Sequence, residues 1–178
     1  PHSTSTFPCL SSQQYALSYP EEPWSEAKRS LRPDKQPPTI EALEAHMMDK
    51  WDRVLHCMAG SDEGGTQDLS VVRSFLLQTK LMQQDPGSEQ MYLTSSGYEY
   101  LLKDIHSQVW VYVFETIQRA GDAAEELLSF LFALSYCTVG EYYPWNVLSS
   151  VQKIMTMEFS NLGILYRRQG SSRFYPTP

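Results

Sequence analysis

Cysteine is scarce in this chain. Cys9, Cys57 and Cys137 are odd in number, far apart and never in C-x-x-C spacing, which argues against a disulfide framework and a zinc site and fits a reducing compartment. Histidine is scarce as well: His2, His46, His56 and His106 form no i, i+3 or i, i+4 pair, and the adjacent His56 and Cys57 point to different sides of a helix. No metal and no cofactor are therefore expected. Long apolar runs are missing; none approaches the roughly 18 residues that span a bilayer. The N-terminus also lacks the basic-then-apolar pattern of a signal peptide, so the reading is of a soluble, intracellular chain with no membrane role. It opens on Pro1 rather than Met, so a portion of a longer protein is expected.

Motifs that carry chemistry are missing too. There is no nucleophile elbow, P-loop, Rossmann glycine pattern or H-E-x-x-H. The carboxylate pairs Asp62-Glu63 and Glu125-Glu126 fall in a glycine loop and at a helix start, so they read as solvated surface and dipole complement rather than an acid/base dyad. The chain is not expected to be an enzyme.

Basic charge is short everywhere but at the end. Residues 39–163 carry seven Lys/Arg against seventeen Asp/Glu, whereas residues 164–178 carry three and none. Phosphate neutralisation by Lys and Arg supplies most affinity for a nucleic acid backbone, so the acidic body is poorly equipped for duplex binding. Tyr166, Arg167, Arg168, Arg173 and Tyr175 surround the turn Gln169-Gly170-Ser171-Ser172. These five are the candidate interface. Three uses stand open for them: a wing contacting phosphates, a solvated edge paired with the chain's own carboxylates, or a partner surface of the kind where Arg and Tyr are enriched.

What the sequence does have is proline at the front and helical periodicity behind it. Seven of eleven prolines lie in residues 1–38, beside Ser/Thr-rich stretches, so this segment reads as an extended arm or insertion. Phe7, Leu10, Tyr15, Leu17, Tyr19 and Trp24 make it too apolar for a pure linker, and it is expected to lie on a surface. From Thr39 a capped helix follows, with Ile40, Leu43, Met47, Trp51, Val54, Leu55 and Met58 in one stripe and Gly60 as its end. A loop "SDEGGTQ" precedes a helix from Asp68 to Met82; then come a turn at Pro86-Gly87, a short strand at Gln90–Leu93 and a helix opened by a Ser96-x-x-Glu99 capping box. "VWVYVF" has strand composition, but Ile105, Val109, Val113 and Ile117 at intervals of four predict a largely buried helix. A second capping box, Asp122-x-x-Glu125, is expected to start "LLSFLFALSY", apolar on almost every side and so placed at the centre of the core. Gly140 and Pro144 then break the chain, with one short helix expected in the break. A helix over Val147–Leu162, with a stripe of Val147, Val151, Ile154, Met155, Glu158/Phe159 and Leu162, leads into the terminal two-stranded hairpin. The methionines mostly sit at helical spacing and read as core.

Helix, break, helix and hairpin is the plan of a winged-helix unit. The fold class is mainly α, with tandem winged-helix-like modules: residues 39–103, and residues 104–178 ending in the β-hairpin wing.

The blocks "DKWDRVLHCMAGS", "YLTSSGYEYLLKDIHSQVWVYVFETIQ", "LLSFLFALSYCTVGEYY" and "FSNLGILYRRQGSSRFYPT" resemble, in order, those of the p-fifty-two (Tfb-two in yeast) family, a core subunit of the transcription and repair factor TFIIH. The resemblance runs from about Leu43 to Thr177, leaves the first 38 residues poorly matched, and corresponds to a central portion of the family. It implies a nuclear, non-catalytic scaffold that anchors the XPB translocase and stimulates its ATPase in promoter opening and nucleotide excision repair. It implies the p-eight (Tfb-five) and p-thirty-four subunits as neighbours, with any DNA contact weak or indirect. The family's main XPB-docking and p-eight-binding parts lie in a C-terminal region absent from these residues. The alternative from another class is a winged helix that binds duplex DNA directly through the basic hairpin of residues 164–178.

Overall fold

The computed structural model describes residues 23–60, 67–88 and 90–178. Cys9, His2, the loop "SDEGGT" with Asp62-Glu63, and most of the proline-rich arm lie outside the described residues. Within the remainder of that arm, expected to be extended, Ser25–Ser30 form a short helix, α1.

Helix α2 (Ile40–Met58) starts as its sequence predicts. The Thr39 side chain accepts from the Ala42 N–H at 3.2 Å, and the helix buries Leu43, Trp51, Val54, Cys57 and Met58. Ile40, at the outer end of the predicted stripe, is exposed. Helix α3 (Gln67–Gln78) is shorter than expected. Lys80 adopts φ 57°, turning the chain so that Met82–Gln84 becomes strand β1 rather than the end of a helix. Leu81 and Met82 are buried, and the left-handed turn at a lysine carries no sequence signal. Strand β1 pairs antiparallel with β2 (Met91–Leu93), Met82 opposite Leu93, through the predicted Pro86-Gly87 turn.

The predicted Ser96–Glu99 capping box is replaced by a different cap. Thr94 precedes α4 (Ser95–Leu101): its hydroxyl oxygen accepts from the Gly97 N–H at 3.1 Å and donates to the Lys80 carbonyl at 2.7 Å. The cap thus also ties α4 to the hairpin before it, which a local pattern of four residues does not encode. Helix α5 (Ile105–Arg119) is present as read, capped by Asp104, whose carboxylate accepts from the Ser107 N–H at 3.0 Å. Its buried side holds a polar group that periodicity ignores. Gln108 accepts from Trp51 Nε1 at 2.7 Å and donates to the Tyr100 carbonyl at 3.1 Å, while the Tyr100 hydroxyl donates to the Gln108 carbonyl at 3.3 Å. Both groups that would be costly if orphaned in the interior are therefore satisfied.

Two expectations about the next helices are corrected. The Asp122-x-x-Glu125 box does not form: Gly121–Ala123 make one turn of 3₁₀ helix, which already leads the chain in helical geometry into α6 (Ala124–Ser135) with no side-chain cap. Neither helix is buried to the extent its composition suggests. Helix α5 exposes Trp110 and Phe114, and α6 buries Leu127 and Phe130 while exposing Leu128, Phe132 and Tyr136. A chain of this size has one side of each helix to cover, and apolar residues on the other side stay in water.

In the break after α6 there is no helix. A two-residue strand β3 (Tyr143–Pro144) stands there instead, and α7 (Ser150–Asn161) begins at a true capping box in which Ser149 and Gln152 bond each other's backbone N–H. Helix α7 buries Met155, Thr156 and Phe159 and leaves Val147, in the approach to it, and Ile154 exposed, a face rotated from the predicted stripe. The expected terminal hairpin is present as β4 (Leu165–Tyr166) and β5 (Arg173–Pro176), with β3 adding to it in the order β3-β5-β4, all antiparallel. Gly163, at φ 81°, lets the chain leave α7 directly against α2; a Cβ there would meet the Met47 Cα at 2.9 Å. One cluster of buried side chains runs from Trp51 through Phe75, Tyr112 and Phe130 to Phe174. No helix among the described residues is long and apolar enough to cross a membrane.

Candidate interaction surface

The terminal hairpin brings four of the five candidate residues around the loop that follows α1. Tyr166 and Tyr175 stand opposite each other across the β4–β5 ladder, their ring centroids 6.2 Å apart. The Tyr175 hydroxyl donates to Asp34, and Arg168 approaches the same carboxylate at 3.9 Å. Arg168 also donates to the Gln36 carbonyl at 2.6 Å and to the Tyr166 hydroxyl at 3.4 Å. Arg173 donates to the Arg32 carbonyl at 2.9 Å and stacks over the Tyr142 ring at 4.8 Å. His46 of α2 meets Tyr166 edge-on at 5.0 Å.

Arg167 lies apart from that group. Its guanidinium rests on the Trp145 ring, 3.8 Å from the centroid, and donates to the Ser171 carbonyl at 2.7 Å across its own turn. Nε of Arg167 and Nη1 of Arg173 are buried and have no acceptor among the described residues; each belongs to a guanidinium stacked on an aromatic face, where cation–π attraction contributes about 0.5–2 kcal/mol.

The ionisation of the cluster follows from these contacts. The Tyr175 hydrogen bond holds the Asp34 carboxyl below its ordinary range, helped by the Gln36 N–H and then by Arg173 and Arg168. Burial, with Asp34 second, pushes the Tyr175 phenol up to about 12. The Tyr166 hydroxyl raises Arg168 and burial lowers Arg167. Tyr175 remains a neutral donor and Asp34 an anionic acceptor at neutral pH.

Residues that a reading of the hairpin alone misses complete the surface. Trp24, in the left-handed region at φ 58°, packs among Phe130, Tyr143 and Phe174 with centroids 5.9–6.1 Å away. Lys28 reaches Glu141 at 3.0 Å and covers the Tyr143 ring at 4.6 Å. Residues 24–36 thus form a strap over the three-stranded sheet, held by Trp24 at one end and Asp34 at the other. The signal for it was the excess of large apolar groups in the proline-rich arm. Nothing in the arrangement is a catalytic constellation, and among the described residues no three His, Cys, Asp or Glu side chains gather to hold a metal.

The family model described as "Transcription factor Tfb2" matches residues 7–178, a span that takes in most of the segment set apart above as an insertion. A "General transcription and DNA repair factor IIH subunit TFB2" of Yarrowia lipolytica is 31% identical over 148 residues, 81% of this chain and 31% of that protein. The "General transcription factor IIH subunit 4" of Dictyostelium discoideum is 31% identical over 156 residues, 83% of this chain and 31% of its own length. An Arabidopsis thaliana "General transcription and DNA repair factor IIH subunit TFB2" is 30% identical over 150 residues, 79% and 32% of the two chains. This chain spans about a third of the length of these relatives, and the names they carry are those of complex subunits rather than of enzymes.

Proposed function

The chain belongs to the Transcription factor Tfb2 family, and from that membership we propose that it is a non-catalytic scaffold portion of the nuclear factor TFIIH, helping to anchor the XPB translocase and stimulate its ATPase in transcription initiation and nucleotide excision repair. Its partners on this reading are other core subunits, XPB, p-eight (Tfb-five) and p-thirty-four. Its architecture is a proline-rich arm, residues 1–38, followed by two winged-helix-like modules, 39–103 and 104–178. The strand order β3-β5-β4 with α7 between β3 and the hairpin supports that plan for the second module.

One observation carries the scaffold reading over direct duplex binding. The three arginines that made the hairpin look like a DNA wing are engaged with the chain itself, on the Arg32 and Gln36 carbonyls, Asp34 and the Trp145 ring. The helix that would enter a groove, α7, has Lys153 as its one basic residue, against Glu158. The intersubunit surface we propose at the candidate residues is therefore composite, hairpin plus strap: Arg168 is exposed and Tyr166, Arg167 and Arg173 are half-buried at its edge, while Tyr175, 2% exposed, is buried and supports that edge from beneath.

The test is assembly. Arg168→Glu with Arg173→Glu in the full-length subunit is expected to reduce recovery of XPB and the other core subunits in a pull-down and to lower XPB ATPase stimulation. Unchanged assembly would remove the hairpin from the interface. Duplex binding by the isolated chain, measured by fluorescence anisotropy, that weakens steeply with salt and vanishes in the double variant would favour the DNA-binding alternative.

A further inference from the structure

An apolar face lies open on the side of the molecule formed by α5 and α6. Trp110 and Phe114 stand one turn apart on α5; Leu128, Phe132 and Tyr136 follow at intervals of four along α6 and its end. Each set lies away from most of what its helix buries, Gln108 and Tyr112 on α5, where Val113 borders Trp110, and Leu127 and Phe130 on α6. Trp110 is 66% exposed, Phe114 57% and Phe132 67%. The two helices pack on each other, and a three-residue turn joins them, so their exposed residues belong to neighbouring ridges. Five side chains of this kind present on the order of 500 Å² of apolar surface, near the upper end of what a monomer leaves in one patch.

Toward the start of α5 the face runs into a pocket. Its volume is about 150 Å³, and Met47, Trp51, Ile105, Val109, Trp110 and Leu162 line it. Trp110 belongs to both features. A cavity of roughly this size accepts a benzene ring, so it suits one Leu or Phe side chain presented from outside.

Charge selects among possible occupants. Between residues 103 and 136 the basic residues are Lys103 and Arg119, and the acidic ones are Asp104, Glu115, Asp122, Glu125 and Glu126. Arg119 already donates to Gln78 and to the Glu115 carbonyl. Asp122 and Glu125, exposed at the turn between the helices, form no ion pair with a described residue. A second copy of the chain would bring the same acidic excess. Residues 1–22 hold Phe7, Leu10 and Tyr15 but no Lys or Arg. An occupant with basic residues complements the face better than either.

We propose that the α5–α6 face docks an amphipathic helix of another polypeptide, with one large apolar side chain anchored in the pocket beside Trp110 and Lys or Arg residues meeting Asp122 and Glu125. Helix α5 has 15 residues, so pocket and acidic turn are about 20 Å apart at 1.5 Å per residue. The anchor and the basic residues therefore lie three to four turns apart on the partner. This is helix-in-groove recognition, with successive turns of one face supplying the contacts. It stands on this face alone and goes beyond the hairpin surface described above.

The experiment uses the whole 178-residue chain and three fluorescein-labelled 18-residue peptides. The first is a Leu-striped helix with Phe near one end and Lys at the other; the second replaces Lys by Glu; the third replaces Phe by Ala. The first is expected to bind by anisotropy, and each of the others at least tenfold more weakly. Phe132→Ser and Asp122→Asn/Glu125→Gln should each weaken the first peptide several-fold while leaving the urea midpoint of the chain unchanged. Failure of the first peptide to bind, or equal binding by the first two, overturns the proposal. So does a dimer in sedimentation that Phe132→Ser dissolves, because the occupant is then a second copy. Tenfold tighter peptide binding by a full chain carrying Phe7→Ser and Leu10→Ser would assign the face to residues 1–22 and overturn it likewise.

Discussion

The hairpin edge and the α5–α6 face invert what their compositions advertise. Three arginines on a short turn look available to a ligand, yet their guanidinium groups are held by the strap and by neighbouring rings. The aromatic residues of α5 and α6 look destined for the interior, yet Trp110, Phe114 and Phe132 face solvent. The difference lies in reach. An arginine side chain can satisfy its donors on any carbonyl within its length, including one more than a hundred residues away in sequence, whereas a helix cannot turn more than one side toward a single core.

The sharpest way to break this comparison is on α6 itself. Phe130 is 0% exposed and Phe132, two residues on, is exposed. Phe130→Ala is expected to cost about 3–5 kcal/mol, as truncation of a buried aromatic does, while Phe132→Ala should stay within about 0.5 kcal/mol. Urea unfolding of both variants decides it; comparable losses would mean that the face is covered in solution.

A smaller effect sharpens the other half. Tyr175→Phe removes the hydroxyl bound to Asp34 and should cost about 1 kcal/mol near neutral pH. Because the folded Asp34 carboxyl is held below its ordinary value of 3.8, its contribution is present above that pH and is lost as pH falls through the folded value. The wild type should therefore lose more stability than Tyr175→Phe between pH 5 and the acid range, about 3.8 and below. Equal acid dependence would show that Asp34 is not held by Tyr175. The smallest change is expected of Arg168→Ala, a few tenths of a kcal/mol for a pair 3.9 Å apart whose arginine is 44% exposed, read as faster amide exchange confined to residues 24–36.

Much of the framework was legible in the sequence because it rests on local chemistry. The Thr39 cap, the Pro86-Gly87 turn, the α5 helix against its strand-like composition and the terminal hairpin each have a cause within a few residues. What was not legible depends on distant partners. Thr94 replaces Ser96 as a cap because its hydroxyl also reaches Lys80; β3 forms because β5 offers it an edge; the stripe of α7 rotates to follow the core. The five candidate residues lie close together in sequence and so were readily picked out, but the residues that Arg168, Arg173 and Tyr175 contact, Arg32, Asp34 and Gln36, were not, since no period or motif links residue 34 to residue 175. Gln108 was passed over as one polar residue in an apolar helix.

That glutamine limits how the interior can change over time. Trp51, Tyr100 and Gln108 join α2, α4 and α5 through bonds in which each member completes another. Replacing Gln108 alone strands the Trp51 indole N–H, since the Tyr100 carbonyl still accepts from the Lys103 N–H at 3.1 Å, and replacing Trp51 alone leaves an amide oxygen without its donor; each intermediate carries the penalty of a buried orphan, about 1–3 kcal/mol. A joint exchange for apolar residues of matching shape carries no such orphan at the indole–amide contact. The two positions are therefore expected to drift as a pair or not at all, so that neighbouring sequences in which one differs should be rare unless the other differs too.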